Sequence, residues 1–321
     1  MSNYASLIND HISNIDLPKE PVNLYDPIRY MLAQKGKWIR PELCLLSCEM
    51  FNGNVKNAIH PAIAFELLHN FTLVHDDIMD ESELRRGHPT IYKKWGSNTA
   101  ILAGDVFFAH AYQYLMQYKS IGINKIISIF TSTIIRICEG QQMDMDFEKE
   151  LKIKPDMYLQ MIRLKTASMF AACLQTGAII ANASTEHQEY IYQFGINIGM
   201  AFQIQDDLFD AYGQADKVGK KNGQDIYSNK KTFLSVKALE IARSKDLKAL
   251  KHYFSGAEFD YNEKFEAVKA IYDKYEIRKL AEQQIEVYYE QAYKNLDAIN
   301  LPEEKSSLLL DFIKQLMYRI F

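Results

Sequence analysis

An Asp-Asp-x-x-Asp run occurs twice in this chain, as Asp76-Asp77-Ile78-Met79-Asp80 and as Asp206-Asp207-Leu208-Phe209-Asp210. On a helix, positions i and i+4 share a face, so Asp76 and Asp80 point the same way, and so do Asp206 and Asp210. Apolar residues flank both runs: Phe71, Leu73 and Val74 precede the first, Phe202 and Ile204 the second. A lone acidic triplet is more often a solvated face or a helix start. Here the apolar flanks point to burial, and buried charges are paired or bind metal. Hard divalent cations prefer oxygen, and Mg²⁺ usually takes one or two carboxylates plus substrate phosphates. Two such helices facing each other would hold several metal ions around a polyphosphate.

The remainder of the chain reads as helix. Only 14 Gly and 8 Pro occur among 321 residues, and breakers cluster at Phe51-Asn52-Gly53-Asn54, Arg86-Gly87-His88-Pro89, Lys154-Pro155 and Val218–Gly223. The windows between them, roughly 15–30 residues long, suit long helices. Ile126, Ile127, Ile129, Phe130, Ile134 and Ile137 recur at helical spacing, and no segment alternates as a strand does. With no Ser- or Pro-rich linker, residues 1–321 are expected to form one all-α domain. Its motif-bearing core spans about 35–236, and outer amphipathic helices rich in Lys, Glu and Tyr span about 244–321.

Composition excludes several functions. A net charge of −4 exerts no global pull on nucleic acid or anionic membrane. No segment reaches the 18 or so apolar residues of a membrane span; the best, Ala100 to Tyr114, is broken by Asp105. Met1-Ser2-Asn3-Tyr4 lacks the basic region and apolar run of a signal peptide, so a cytoplasmic protein is expected. Cys44, Cys48, Cys138 and Cys173 lack zinc spacing, and buried thiols are expected rather than disulfides.

Basic residues stand beside both acidic runs. Arg85-Arg86 precedes a Gly-His-Pro turn, and guanidinium is the favoured fork for phosphate. In Gly36-Lys37-Trp38-Ile39-Arg40-Pro41, Lys37 and Arg40 would share a helical face as a second anion site. Gly140-Gln141-Gln142-Met143-Asp144 closes one helical stretch with polar groups. Lys165-Thr166 interrupts an apolar helix, where a lysine either snorkels outward or needs an anionic partner. Lys217–Gly223, Asp225 and Lys230-Lys231-Thr232 form a lysine-rich loop that could close over phosphates. Each is common alone.

Taken in order, these residues resemble the trans-prenyl diphosphate synthases of the polyprenyl synthetase family. The resemblance runs from about Lys35 to about Val236. It rests on both acidic motifs, Arg85-Arg86-Gly87, residues 36–41, His69, Gly104-Asp105, Gly140-Gln141, Lys165-Thr166, Gln203 and Asp225…Lys230. It implies a bundle of mostly antiparallel helices around a central cavity, working as a homodimer. It also implies several Mg²⁺ ions, Mn²⁺ being possible, held on an allylic diphosphate by Asp76, Asp77, Asp80, Asp206, Asp207 and Asp210. Arg85, Lys165, Lys220 and Lys230 match contacts to that diphosphate. Lys37, Arg40, His69 and Arg86 match the isopentenyl diphosphate site, and Thr166 and Gln203 match polar groups near the reacting carbons. The implied reaction condenses isopentenyl diphosphate head-to-tail with dimethylallyl, geranyl or farnesyl diphosphate.

The growing tail should run along the helix that carries Asp76. Thr72 and Phe71, four and five residues back, lie roughly 6–7.5 Å along the axis, and Phe71 caps deeper because side chains lean toward the helix N-terminus. Leu68, a turn further, is a second barrier. An aromatic at Phe71 resembles short-chain members, so farnesyl diphosphate is expected, with geranylgeranyl diphosphate the alternative. Rival readings are a terpene cyclase, a non-catalytic partner subunit and a plain metal-binding bundle. Lys37, Arg40 and Arg86 argue for the second diphosphate that a cyclase does not need, and an inactive subunit generally loses one acidic motif.

Overall fold

The computed structural model describes residues 4–34, 36–213 and 222–318. Helix makes up 78% of it, and the only strands among the described residues are two of two residues each. The all-α class therefore holds. The chain forms two compact units from interleaved segments. One comprises the described residues of Met1–Ile129, Cys173–Gln188 and Glu304–Leu309; the other comprises those of Phe130–Ala172, Glu189–Glu303 and Leu310–Phe321.

The first unit opens with α1 (Ala5–Ser13), α2 (Val22–Ala33), α3 (Ile39–Met50) and α4 (Val55–Met79). A hairpin, β1 (Leu84–Arg85) and β2 (His88–Pro89), leads to α5 (Ile91–Trp95) and α6 (Ser97–Leu115). Helix α4 starts where the Asn54 side chain accepts from the Lys56 N–H at 3.0 Å, satisfying one of the first-turn donors. Ala58, Ile59, Ala62, Ile63, Phe65, Leu67 and Leu68 are all buried. A helix apolar on every side belongs in a core, and each fully buried Leu, Ile or Phe contributes about 1.5–3 kcal/mol. Packed against α3 and α6, α4 ends by presenting the first acidic run, with Asp80 as its C-cap. The hairpin pairs Arg85 with His88. Its two turn residues, Arg86 (φ 53) and Gly87 (φ 78), both sit in the left-handed region, as a tight two-residue turn requires.

Lys37 and Arg40 do not share a helical face, contrary to expectation. Helix α3 begins only at Ile39, and Trp38 precedes it with φ 50. The buried Trp38 indole marks this turn, which leaves exposed Lys37 outside the helix.

Helix α7 (Ile123–Glu148) begins in the first unit and continues in the second, where α8 (Pro155–Ile162) follows. Pro155 sits at the start of α8, where its missing N–H costs nothing. A π-helical turn, Arg163–Ala167, joins α8 to α9 (Ser168–Ile180). Gly140 of α7 admits this turn, since a Cβ there would stand 2.5 Å from the Lys165 amide nitrogen. Helix α10 (Thr185–Tyr212) carries the second acidic run, followed by α11 (Gln224–Tyr227) and α12 (Phe233–Ile241). Thr232 and Ser235 form a reciprocal cap at the start of α12. The chain continues through α13 (Ser244–Tyr253), α14 (Tyr261–Lys274), α15 (Ile277–Ile299) and α16 (Glu303–Tyr318). No described helix is long and apolar enough to cross a membrane. Cys44, Cys48 and Cys173 are buried free thiols, and Cys138 is exposed.

Candidate active site

In the first unit the helical spacing holds, but the three aspartates differ. Asp76 and Asp80 are part-exposed, whereas Asp77 is buried. The Arg85 Nε donates to both Asp77 oxygens, at 2.8 and 2.9 Å, and Nη2 lies 2.7 Å from Oδ1. This charge-assisted fork ties the hairpin to the acidic helix. Asp77, expected as a metal ligand, is engaged by this guanidinium, while Asp76 and Asp80 share one part-exposed face of the helix. The left-handed turn at Arg86 sends the second arginine elsewhere. Its guanidinium reaches the Gln34 carbonyl at 3.4 Å, and a Cβ added at Gly36 would stand 3.2 Å from it. Of the expected isopentenyl diphosphate residues, Arg40 and Arg86 both act on buried Glu66 and on His69. Burial, then the charges of Arg40, Arg86 and Arg85, hold the His69 imidazole well below its ordinary range, so it stays neutral.

The expected floor is an aromatic stack rather than one ring. Phe71 lies 5.3 Å from Phe108 of α6 and 4.6 Å from His75, and Phe108 lies 5.3 Å from Tyr112. Thr72 turns its hydroxyl back to the His69 carbonyl at 2.8 Å, and Leu68 is sealed in the core.

The second unit repeats the division of labour. Asp206 is exposed, Asp210 part-exposed and Asp207 buried. Asp207 accepts from the Tyr158 hydroxyl, from the Phe233 N–H at 2.8 Å and from Gln203 Nε2 at 3.2 Å. Like Asp77, it already serves protein donors. Burial, then the Asp225 charge, push Asp207 up to about 8, and the same two causes push Asp210 up to about 7. Asp210 also accepts from the Asp225 N–H at 3.0 Å. On the π turn, Lys165 donates to Asp144 at 2.7 Å, the anionic partner an inward lysine needs. Thr166 donates to Gln203 Oε1 at 2.8 Å. One hydrogen-bonded chain thus links Thr166, Gln203, Asp207 and Tyr158. Lys230 begins the segment leading to α12, its N–H bonded to the Asp225 carbonyl at 2.9 Å. Lys220 lies outside the described residues.

Residues 21–273, which include both acidic runs and their cationic neighbours, match the polyprenyl synthetase family model. The chain belongs to this family. It is 38% identical over 310 residues to the geranylgeranyl diphosphate synthase of Sulfolobus acidocaldarius, covering 94% of this chain and 90% of that protein. It is 34% identical over 250 residues to the geranylfarnesyl diphosphate synthase of Natronomonas pharaonis, covering 72% and 73%. A crystal structure of a geranylgeranyl pyrophosphate synthase superposes with a TM-score of 0.91 at 40% identity, covering 97% of this chain and 96% of that one. The protein is accordingly a prenyltransferase, a trans-prenyl diphosphate synthase. The polyprenyl synthetase family acts on isopentenyl diphosphate and an allylic diphosphate and generally uses a divalent metal.

The donor chemistry fits such a metal in one particular way. Among the described residues, no three carboxylate, His or Cys side chains are gathered to enclose an ion. Each acidic run instead keeps two hard oxygen donors on one face, which suits an ion whose shell is completed by substrate phosphates and water. A cation beside Asp210 would also reverse the upward shift that burial and Asp225 impose. Sequence reading missed Glu66, Tyr158 and the structural use of Asp144. Only Asp144 had a visible cue, its place one turn after Gly140.

Proposed function

We propose that this synthase makes geranylgeranyl diphosphate, the shorter farnesyl product being the alternative. The observation that carries the site assignment is the shared design of the two acidic runs. In each, the middle aspartate is buried and held by protein donors, and the first and last carboxylates stay on one accessible face. Asp76, Asp80, Asp206 and Asp210 are then the residues that hold Mg²⁺, or Mn²⁺, with Asp77 and Asp207 fixing their direction. Bound Mg²⁺ supplies positive charge that stabilises the departing diphosphate.

Arg85, Lys165, Lys230 and Lys220 hold the allylic diphosphate, and Lys37, Arg40, Arg86 and neutral His69 hold isopentenyl diphosphate. The allylic C–O bond breaks, and the diphosphate leaves with the electron pair into this cationic environment. The isopentenyl π electrons form the new C–C bond, favoured by a fixed near-attack geometry. The departed diphosphate accepts the proton lost from the resulting cation, and the product is five carbons longer. Thr166 and Gln203, locked to each other, present their remaining polar capacity near the reacting carbons.

Two observations support a short product of this length. The Phe71–Phe108–Tyr112 rings stand together before Asp76, where they would limit a growing tail, and the relatives above, named as geranylgeranyl and geranylfarnesyl synthases, favour C20 over the farnesyl product expected from Phe71 alone. Half-exposed Ile101 and Leu102 on α6 support a homodimer, and the unbridged cysteines support a reducing, cytoplasmic setting. The chain works as one polyprenyl synthetase domain in this reading. Incubation with isopentenyl diphosphate, each allylic starter and Mg²⁺, followed by chain-length analysis of the dephosphorylated alcohols, tests it. Geranylgeraniol is the expected product; C30 or longer alcohols would overturn the floor, and no elongation would overturn the enzyme reading.

A further inference from the structure

One buried ammonium has no place in that chemistry. Lys264, in the first turn of α14, is 2% exposed, although a lysine is almost never fully buried without partners. Its Nζ donates to the Asn229 Oδ1 at 2.6 Å and to the Tyr227 carbonyl at 3.0 Å. The rings of Phe254, Phe259 and Tyr227 surround it at 5.6, 6.0 and 6.0 Å, within the range of cation–π attraction.

Both hydrogen bonds fall on the turn that ends at Lys230. Asn229 sits in the left-handed region, φ 60, which a non-glycine residue adopts at a cost unless its surroundings hold it there. The left-handed residue reverses the chain immediately before Lys230, whose own N–H returns to the Asp225 carbonyl at 2.9 Å. Two further contacts from the same turn of α14 grip this loop. The Tyr261 hydroxyl donates to the Asn222 carbonyl at 2.9 Å. The Phe265 ring fills the space beside Gly223 (φ 86), where a Cβ would come within 2.1 Å of it. The N-terminal turn of α14 therefore clamps residues 222–229 from end to end, with Lys264 at the end nearest Lys230.

We infer that Lys264 is a positioning residue that fixes the direction of Lys230 toward the allylic diphosphate by holding Asn229 in its left-handed turn. The inference rests on the assignment of Lys230 made above. Lys264→Met keeps the apolar stem and removes the donor. It should raise the allylic-diphosphate KM by up to about 100-fold, the scale that a misplacement of about 1 Å can reach, and leave the isopentenyl KM unchanged. Asn229→Gly keeps access to positive φ, removes the acceptor, and should reproduce that selective effect. The double variant should be no worse than either single one, as expected for partners in one interaction. Circular dichroism and Tm, read alongside, separate this from unfolding. Additive losses, or a lowered Tm with both KM values unchanged, would overturn the positioning role. Lys230→Ala provides the reference: an unchanged allylic KM in that variant would overturn the assignment of Lys230 and the inference with it.

Discussion

Gly140→Ala probes how tightly the site is built, because the added atom meets backbone rather than a side chain that could swing away. An ideal Cβ stands 2.5 Å from the Lys165 nitrogen and 2.9 Å from its Cα, where ordinary contact begins at 3.4 Å. The two backbones must part by about 0.9 Å, the gap between the first and last of those distances, so α7 and the π turn cannot both keep their places. Overpacking of this kind costs about 1–3 kcal/mol, while replacing Gly by Ala inside a helix returns about 1 kcal/mol. The expected net loss of stability is therefore small, about 0–2 kcal/mol, read by thermal or urea denaturation. Activity should respond far more. The displaced residue is Lys165, and moving a positioned group by about 1 Å can cost on the order of 100-fold. The assay is kcat/KM for the allylic substrate at saturating isopentenyl diphosphate, beside Tm. A variant about 1 kcal/mol more stable and fully active would refute the argument, since it would show the contact to be loose.

Phe71→Ala should lengthen the product by at least one isoprene unit, and Phe71→Ala with Phe108→Ala should lengthen it further; product analysis of the alcohols checks both. Asp206→Asn should abolish metal-dependent turnover with little change in Tm, whereas Asp207→Asn should lower Tm by disturbing the buried contacts with Tyr158, Phe233 and Gln203. Equal effects in the two variants would remove the distinction between metal-holding and structural aspartates. His69 has a folded-state pKa well below its unfolded value of 6.5, so below pH 6.5 the unfolded chain binds the extra proton. Stability should fall as pH drops through that range, with a limiting slope of about 1.4 kcal/mol per pH unit for one proton. His69→Gln should flatten that part of a denaturation-versus-pH series.

The helical class and both acidic motifs were legible because they are local: periodicity and i, i+4 spacing need only one segment. What stayed hidden depends on partners distant in sequence. Nothing around Asp77 announces that Arg85 will close on it, and nothing links Tyr158 to Asp207 across 49 residues. The helical reading of Lys37 and Arg40 failed because Trp38 buries its ring and turns the backbone, a tertiary demand that overrides local pattern. The strand pair at Arg85 and His88 is too short to alternate, although Arg86-Gly87 is a turn by composition. Phe71 was legible as an aromatic ahead of Asp76, but its contact with Phe108 depends on another helix.

The π turn at Arg163–Ala167 has a consequence for how this enzyme can change over generations. A π turn amounts to one residue more than an ordinary helix holds. Losing a single codon there would heal α8 and α9 into one regular helix with better hydrogen bonds, and the chain would still fold. Each residue of a helix turns through about 100°, so the same deletion would swing Lys165 and Thr166 away from Asp144 and Gln203. A lineage freed from selection on catalysis could therefore gain stability by the very deletion that silences it, and an intact irregular turn is a mark that the enzyme is still in use.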